Sequence, residues 1–240
     1  NKILLKEKPD VFLIYGDTNS TYSALVAKSL KIPIFHMEAG NRSFDQRIPE
    51  EINRKLIDHL SDVNIVISEQ ARQNLIREGV NPEFILKSGS HMEEIFLNYE
   101  KEIDASNILK KIKIKKNDYF LASIHRAELV DSKNEAIKLI NSFVKISKTF
   151  KKKIILSTHP RLRKNIDKFK IKKKTNNIEY LKPFSFFDYI NLSKNSYCVL
   201  SDSGSLFEES YLLNYPAVSI RKSNERIEGI ETGSTIMSGY

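Results

Sequence analysis

A single cysteine closes off two classes of protein at once. With only Cys198 among 240 residues, no internal disulfide can form, and a cysteine-rich zinc site is excluded as well. Cys198 lies in the apolar run YCVLS, so it is expected to be a buried core thiol. Long hydrophobic runs are scarce too. The longest, such as DVFLIYG, fall far short of the roughly 20 residues that span a bilayer, so no membrane partner is expected. The opening stretch NKILLKEKPD has neither the apolar region nor the small-residue cleavage site of a secretory signal, and a cytoplasmic location is expected. Neither the G-x-G-x-x-G fingerprint of dinucleotide binding nor the G-x-x-x-x-G-K-[ST] phosphate loop occurs.

What is abundant is positive charge. The net charge of +9 invites a nucleic-acid reading, but the lysines are dispersed. The densest stretches, LKKIKIKKND, KKKII and FKIKKKTNN, each precede a strand-like run and read as solvated helix ends and loops. No zinc-finger, RNP or helix-turn-helix pattern accompanies them, so no nucleic-acid partner is expected. A small anionic phosphate ligand suits the same charge equally well.

Strand-like runs alternate with amphipathic stretches along the chain. DVFLIYG precedes NSTYSALVAKSL, IPIFHME precedes PEEINRKLIDHLS, and VNIVIS precedes EQARQNLIREG, with FILKSG following. After a polar segment the rhythm resumes. YFLASIH leads to a helical stretch in which Ala136, Ile137, Ile140, Phe143 and Val144 share one face; KIILSTH, IEYLKPF, YCVLSDSG with the helix LFEESYLLN, and AVSIR follow. Repeated βα units predict α/β architecture with parallel, doubly wound sheets. The polar stretch Leu97 to Asp118 reads as the boundary. This gives two Rossmann-like domains, residues 1–100 and 101–240, with a cleft expected between them. The N-terminal residues NKILLKEKP read as a helix tail rather than a central strand, and the ending GSTIMSGY is abrupt. The first domain is therefore expected to be incomplete at its N-terminus, the second truncated at its C-terminal end, and the chain to be a fragment, inactive alone.

The polar clusters follow strands, at the edge where α/β sheets bind ligands. YGDTNS offers Asp17, HMEAG offers His36 and Glu38, and RIPEEINR places Glu50 and Arg54 on one helix face. ASIHRAE carries His125, Arg126 and Glu128, and STHPR adds His159 and Arg161. SDSGSLFEES runs from strand to helix through Asp202, Ser203, Gly204 and Ser205, a turn whose backbone N–H groups would favour phosphate. One turn on, Glu209 could accept from a sugar diol. Carboxylates in the first half and an anion cradle in the second suit a nucleotide-sugar enzyme that moves a proton at carbon while phosphate departs. His36 and Glu38 lack further partners for a metal, and none is expected.

Taken together, YGDTNST, HMEAGNRSFDQRIPEEINR, IHRAE, THPR, LSDSGSLFEES and ERIEG resemble the non-hydrolysing UDP-N-acetylglucosamine 2-epimerase family across essentially the whole chain. The resemblance implies two Rossmann-like domains of the glycosyltransferase-B type, a cytoplasmic bacterial isomerase, and a homodimer when full length. It further implies a role in capsule, O-antigen or teichoic-acid linkage synthesis, with no cofactor. The implied reaction removes the C2 proton as UDP leaves C1, then adds UDP back after the proton returns to the opposite face. Asp17, Glu38 and Glu50 match the family's acid–base carboxylates, with His125 at the reacting substrate. Arg54, Tyr189, Ser203, Gly204, Ser205, Glu209 and Arg226 match substrate- or UDP-binding positions. The family's opening strand and G-T-R-P-E loop are missing, Ser205 stands where the turn usually has a second glycine, and Ile227 where many members have proline. The wording resembles a branch acting on UDP-2-acetamido-2,6-dideoxyhexoses or diacetamido-uronic acids. A UDP-sugar-dependent glycosyltransferase of the same fold is the alternative, although it calls for an acceptor groove rather than several acids at that edge.

Overall fold

The computed structural model describes residues 2–169, 177–221 and 232–239. They divide into two compact units, with the chain passing from one to the other between His91 and Met92.

In the first unit β1 (Phe12–Tyr15), β2 (Ile34–Met37), β3 (Val63–Val66) and β4 (Ile85–Lys87) form a parallel sheet in the order β1-β2-β3-β4. Helices α1 (Lys2–Glu7), α2 (Ser23–Ser29), α3 (Pro49–Leu60) and α4 (Glu69–Arg77) accompany it. Proline at the start of α3 presets the backbone where no N–H partner is needed, and Ser68 caps α4 by accepting from the Ala71 N–H at 3.1 Å. Burial alternates along these strands. Ile14, Ile34, Val66 and Ile85 pack with Ala24, Ala27, Ile57, Ala71 and Leu75 of the helices. Leu13, Tyr15 and Leu86, on the opposite pleat, are exposed, and Phe35, Met37, Val63 and Ile65 are only half-buried. Among the described residues, helices of this unit cover one face of its sheet.

The second unit begins with short helices: α5 (His91–Asn98, its first residue grouping with the first unit), α6 (Glu100–Asp104) and α7 (Ile108–Lys111). It continues through β5 (Tyr119–Ile124), α8 (Ala127–Val130), α9 (Lys133–Phe150), β6 (Lys153–Thr158), α10 (Pro160–Lys168) and β7 (Ile178–Leu181). Then follow α11 (Phe186–Asn195), β8 (Cys198–Ser201), α12 (Leu206–Leu212), β9 (Ala217–Ser219) and β10 (Thr235–Met237). These strands make a parallel sheet in the order β10-β9-β8-β5-β6-β7. Its central strands β5, β6 and β8 are buried almost continuously because both faces are covered. Phe120, Ile124, Ile154 and Leu156 meet Leu139, Ile140 and Phe143 of α9, while Leu121, Ile155 and Val199 meet Ile108, Leu192 and Leu206. Cys198 is half-buried against the first of these clusters, and burial pushes its thiol up to about 11.

The α/β class and the two parallel sheets agree with the expectation from the sequence. The dividing line differs. The polar stretch expected to separate the domains is largely helical, and its apolar residues Ile103 and Ile108 are buried in the second unit, with Ile103 beside Ile190 of α11. Its charges face solvent, so the composition looks like a linker while every third or fourth residue anchors a helix. Helices α10 and α11 were also absent from the sequence reading. Among the described residues, no helix is long and apolar enough to cross a membrane.

Candidate active site

In the first unit the charged stretch after β2 is held by a buried network centred on Asp58 of α3. The Asp58 carboxylate accepts from the Gly40 N–H at 3.2 Å, meets the His36 ring at 2.7 Å and pairs with Arg42 at 2.7 Å. His36 turns its other ring nitrogen to the Gly16 carbonyl at 3.0 Å, and Arg42 continues to Glu78 at 2.6 Å. His36, Arg42 and Asp58 are all buried, where each depends on the others because an unpaired charge away from water is costly. The interlocked partners hold the Arg42 guanidinium fully charged: burial works against the charge, and the bonds to Glu78 and Asp58 outweigh it. Gly40 has φ +77°, and a Cβ there would lie 2.3 Å from the Ala71 carbonyl oxygen, so this turn accepts only glycine. His36, a candidate in the sequence, is therefore structural.

This scaffold sets three acids at or near the C-terminal edge of the sheet. Asp17, just past β1, is paired with Arg54, and its carbonyl accepts from Asn53 at 3.0 Å. Glu38, just past β2, has a left-handed backbone (φ +65°) and accepts from the Tyr15 hydroxyl at 3.2 Å. Glu50, in the first turn of α3, is exposed. Arg54, expected to share a face with Glu50, meets Glu51 instead at 3.4 Å and donates to the Asn41 carbonyl at 3.2 Å. The fully buried Glu51 accepts from the Ser43 N–H at 2.8 Å and its hydroxyl at 3.0 Å, closing the loop. Of the paired glutamates at the start of α3, one is thus a fastener and its neighbour is free for chemistry. Arg54 itself is buried and committed to Asp17, Glu51 and the loop.

In the second unit β6 lies on one side of β5 and β8 on the other, so the ends of β5 and β8 form the switch point where open α/β sheets bind ligands. Asp202, fully buried after β8, bridges that point. It accepts from the backbone N–H groups of His125 at 3.0 Å and Arg126 at 2.8 Å, and from the His125 ring at 2.8 Å. The His125 ring is exposed on its other side, and the hydrogen bond to Asp202 raises its pKa above the usual histidine value, burial and then the charges of Arg126 and Arg221 opposing. Ser203 and Ser205 hydroxyls lie 2.9 Å apart around the half-buried Gly204 at the start of α12. Glu209, one turn in, is buried and accepts from Tyr215 at 3.2 Å. Burial raises its pKa, partly offset by hydrogen bonds from Ser205 and Tyr215. Tyr189 of α11 hydrogen-bonds Ser123 and Ser201, at the ends of β5 and β8; its phenol is pushed up chiefly by burial and then by Glu209. His159 caps α10, and Arg161 bonds Asp131 at 2.8 Å.

The second unit therefore gathers His125, Tyr189, Ser203, Gly204, Ser205 and Glu209 around one strand edge, and the first unit gathers Asp17, Glu38 and Arg54 around another, with Glu50 exposed near it. Arg226 lies outside the described residues. Sequence reasoning passed over Asp58, whose partners His36, Gly40 and Arg42 are distant in the chain, over Glu51 and Tyr215, and over Arg221, buried just beyond β9 and close enough to His125 to act on its charge.

A sequence model described as UDP-N-acetylglucosamine 2-epimerase matches residues 1–240. A UDP-N-acetylglucosamine 2-epimerase homolog of Methanococcus maripaludis is 42% identical over 99% of this chain and 67% of its own length. A solved UDP-N-acetylglucosamine 2-epimerase from Rickettsia bellii superposes with a TM-score of 0.90 at 48% identity, covering 100% of this chain and 63% of that one. The Methanocaldococcus jannaschii UDP-GlcNAc 2-epimerase, solved in complex with UDP-GlcNAc and UDP, gives a TM-score of 0.90 at 38% identity, over 99% of this chain and 67% of that one. The chain thus spans about two thirds of the length of these relatives.

Proposed function

The chain belongs to the UDP-N-acetylglucosamine 2-epimerase family, and from that premise we propose that it forms the larger part of an isomerase inverting C2 of a UDP-2-acetamido sugar without hydrolysing it. A carboxylate takes the C2 proton while the C1–O bond to UDP breaks, leaving a 2-acetamidoglucal; the proton then returns to the opposite face and UDP adds back at C1. The carboxylates are Asp17, Glu38 and Glu50, with Arg54 orienting Asp17. His125 and the Ser203–Gly204–Ser205 turn take the diphosphate, Glu209 the ribose diol, and Tyr189 and Arg226 complete the UDP contacts.

The observation that carries this reading is a division of labour. One unit sets acids at its strand edge, and the other sets a hydroxyl-rich turn, a proton-holding histidine and a buried acid at its switch point. The substrate is UDP-N-acetylglucosamine or an analogue altered at C4 to C6. The product feeds surface polysaccharide synthesis, and the full-length protein works as a cytoplasmic homodimer.

Two features of the described residues support the fragment reading: one face of the first sheet is only partly covered, and β1 lies at the edge of that sheet. A parallel sheet is stable when both faces are covered, so further strands and helices belong on the first unit.

The test is incubation of the full-length protein with UDP-N-acetylglucosamine and its deoxy and uronate analogues in D2O. Deuterium enters at C2 of at least one sugar; failure with the whole panel would rule out epimerisation. Glu38→Gln abolishes exchange and leaves UDP binding intact, whereas Glu209→Ala weakens UDP binding. The reverse pattern means that the roles of the two units are exchanged.

A further inference from the structure

The carboxylate of Glu38 is held by a tyrosine, and that tyrosine is held in turn. The Tyr15 hydroxyl, at the end of β1, lies 3.2 Å from Glu38 Oε1 and 2.9 Å from His91 Nε2. The two rings meet edge to face, with centroids 5.2 Å apart. A carboxylate can only accept, so the phenol proton points to Glu38 and the His91 ring donates to the phenol oxygen. This gives a directed chain, His91 Nε2–H to Tyr15 O and Tyr15 O–H to Glu38 Oε1, drawn from three separate segments of the first unit.

The backbone supports the same arrangement. Glu38 sits at φ +65°, a conformation that non-glycine residues adopt at a cost, and such strain persists where the surroundings fix it. Gly16 leaves space beside it, since a Cβ there would lie 3.6 Å from Glu38 Oε2. The sequence had marked Asp17, His36 and Glu38 at this edge, but not the residues that hold Glu38. Tyr15 read only as part of the strand run DVFLIYG, and His91 had no reading at all.

We propose that Tyr15 is a positioning residue for Glu38, seated by His91, so that the carboxylate is held in the orientation that meets the proton at C2. This rests on the epimerase reading above and names what aims its base. A flexible glutamate would have to find its orientation anew in each turnover, whereas a phenol with two torsions holds it in place.

The experiment is made on the full-length protein. Tyr15→Phe lowers kcat for C2 deuterium exchange about tenfold with KM and UDP affinity unchanged, about 1.4 kcal/mol on the barrier. His91→Leu gives a smaller loss of the same kind, and His91→Gln, which keeps an N–H donor at that reach, recovers most of it. In NMR spectra the His91 ring signals shift in Tyr15→Phe. Normal kcat in Tyr15→Phe, or a loss carried by KM, overturns the positioning role. Unmoved His91 signals overturn the chain of bonds. No exchange by the wild type with any substrate sinks the functional reading and this role with it, so the two failures are distinguishable.

Discussion

The two sheets of this protein are built from the same unit, strand followed by helix, yet they bury differently. In the second unit, β5 and β6 are apolar and inaccessible along nearly their full length. In the first, β1, β2 and β3 alternate between buried and accessible positions. Since the strands are parallel in both cases, the difference lies in what covers them and not in how they pair. It also separates two ways of holding a polar site. The first unit pins its loops by charges in a dry network behind one sheet face, and the second clamps two strand ends with the single carboxylate of Asp202.

The sharpest way to break this comparison is to remove the centre of the first network. Asp58→Ala strands Arg42, His36 and the Gly40 N–H and is expected to cost about 3–5 kcal/mol. Hydrogen exchange of the first unit's amides reads that loss, with the second unit unaffected. The exposed pair Lys194–Asp104 is the control, and Asp104→Ala costs about 1 kcal/mol or less.

Next in size is a pair of leucines on matching elements. Leu121, fully buried in β5, loses about 2–5 kcal/mol on truncation to alanine. Leu13 in β1, 59% exposed, loses less than about 0.5 kcal/mol in this chain. Urea titration of both variants measures the contrast. If the face that carries Leu13 is covered in the full-length protein, Leu13→Ala becomes costly there, which sharpens the comparison into a measurement of what covers it.

Smaller still is Tyr215→Phe. It removes the donor to Glu209 without changing the packing volume much. A roughly five-fold weaker affinity for UDP is expected, corresponding to about 1 kcal/mol for one hydrogen bond. Calorimetric titration with UDP measures it, and an unchanged affinity would show that Glu209 needs no positioning.

The smallest effect is one of pH. His125 has its folded pKa raised above 6.5 by Asp202, so its contribution to stability is complete below about pH 6.5 and fades as pH rises through the raised value. The stability difference between wild type and His125→Gln should shrink over that interval. An NMR titration should place the His125 midpoint above 6.5 and return it towards the ordinary value in Asp202→Asn.

How much was legible beforehand follows the same physics. The strands and the long helix α9 are visible because a run of apolar residues, or apolar residues spaced along one helix face, is a local signal. The stretch from Leu97 to Asp118 misleads because its helices bury few residues amid many charges, so composition outweighs periodicity. At the site, Asp17, Glu38 and the Ser203–Ser205 turn can be found because strand ends followed by polar residues mark the ligand edge. The different fates of Glu50 and Glu51 could not be told apart. Both suit the start of a helix equally, and only the path of the Ser43–Phe44 loop decides which one is enclosed.

The alternation of strands with helices, the class of fold, the family and the list of candidate acids were determined by the sequence itself, because they depend on residue type and spacing over short distances. Which charges became fasteners and which were left for chemistry was decided only in the tertiary structure. Burial makes a charge dependent on partners far away in the chain, and Asp58, Glu78 and His91 became partners only when their elements were packed beside the loops they hold.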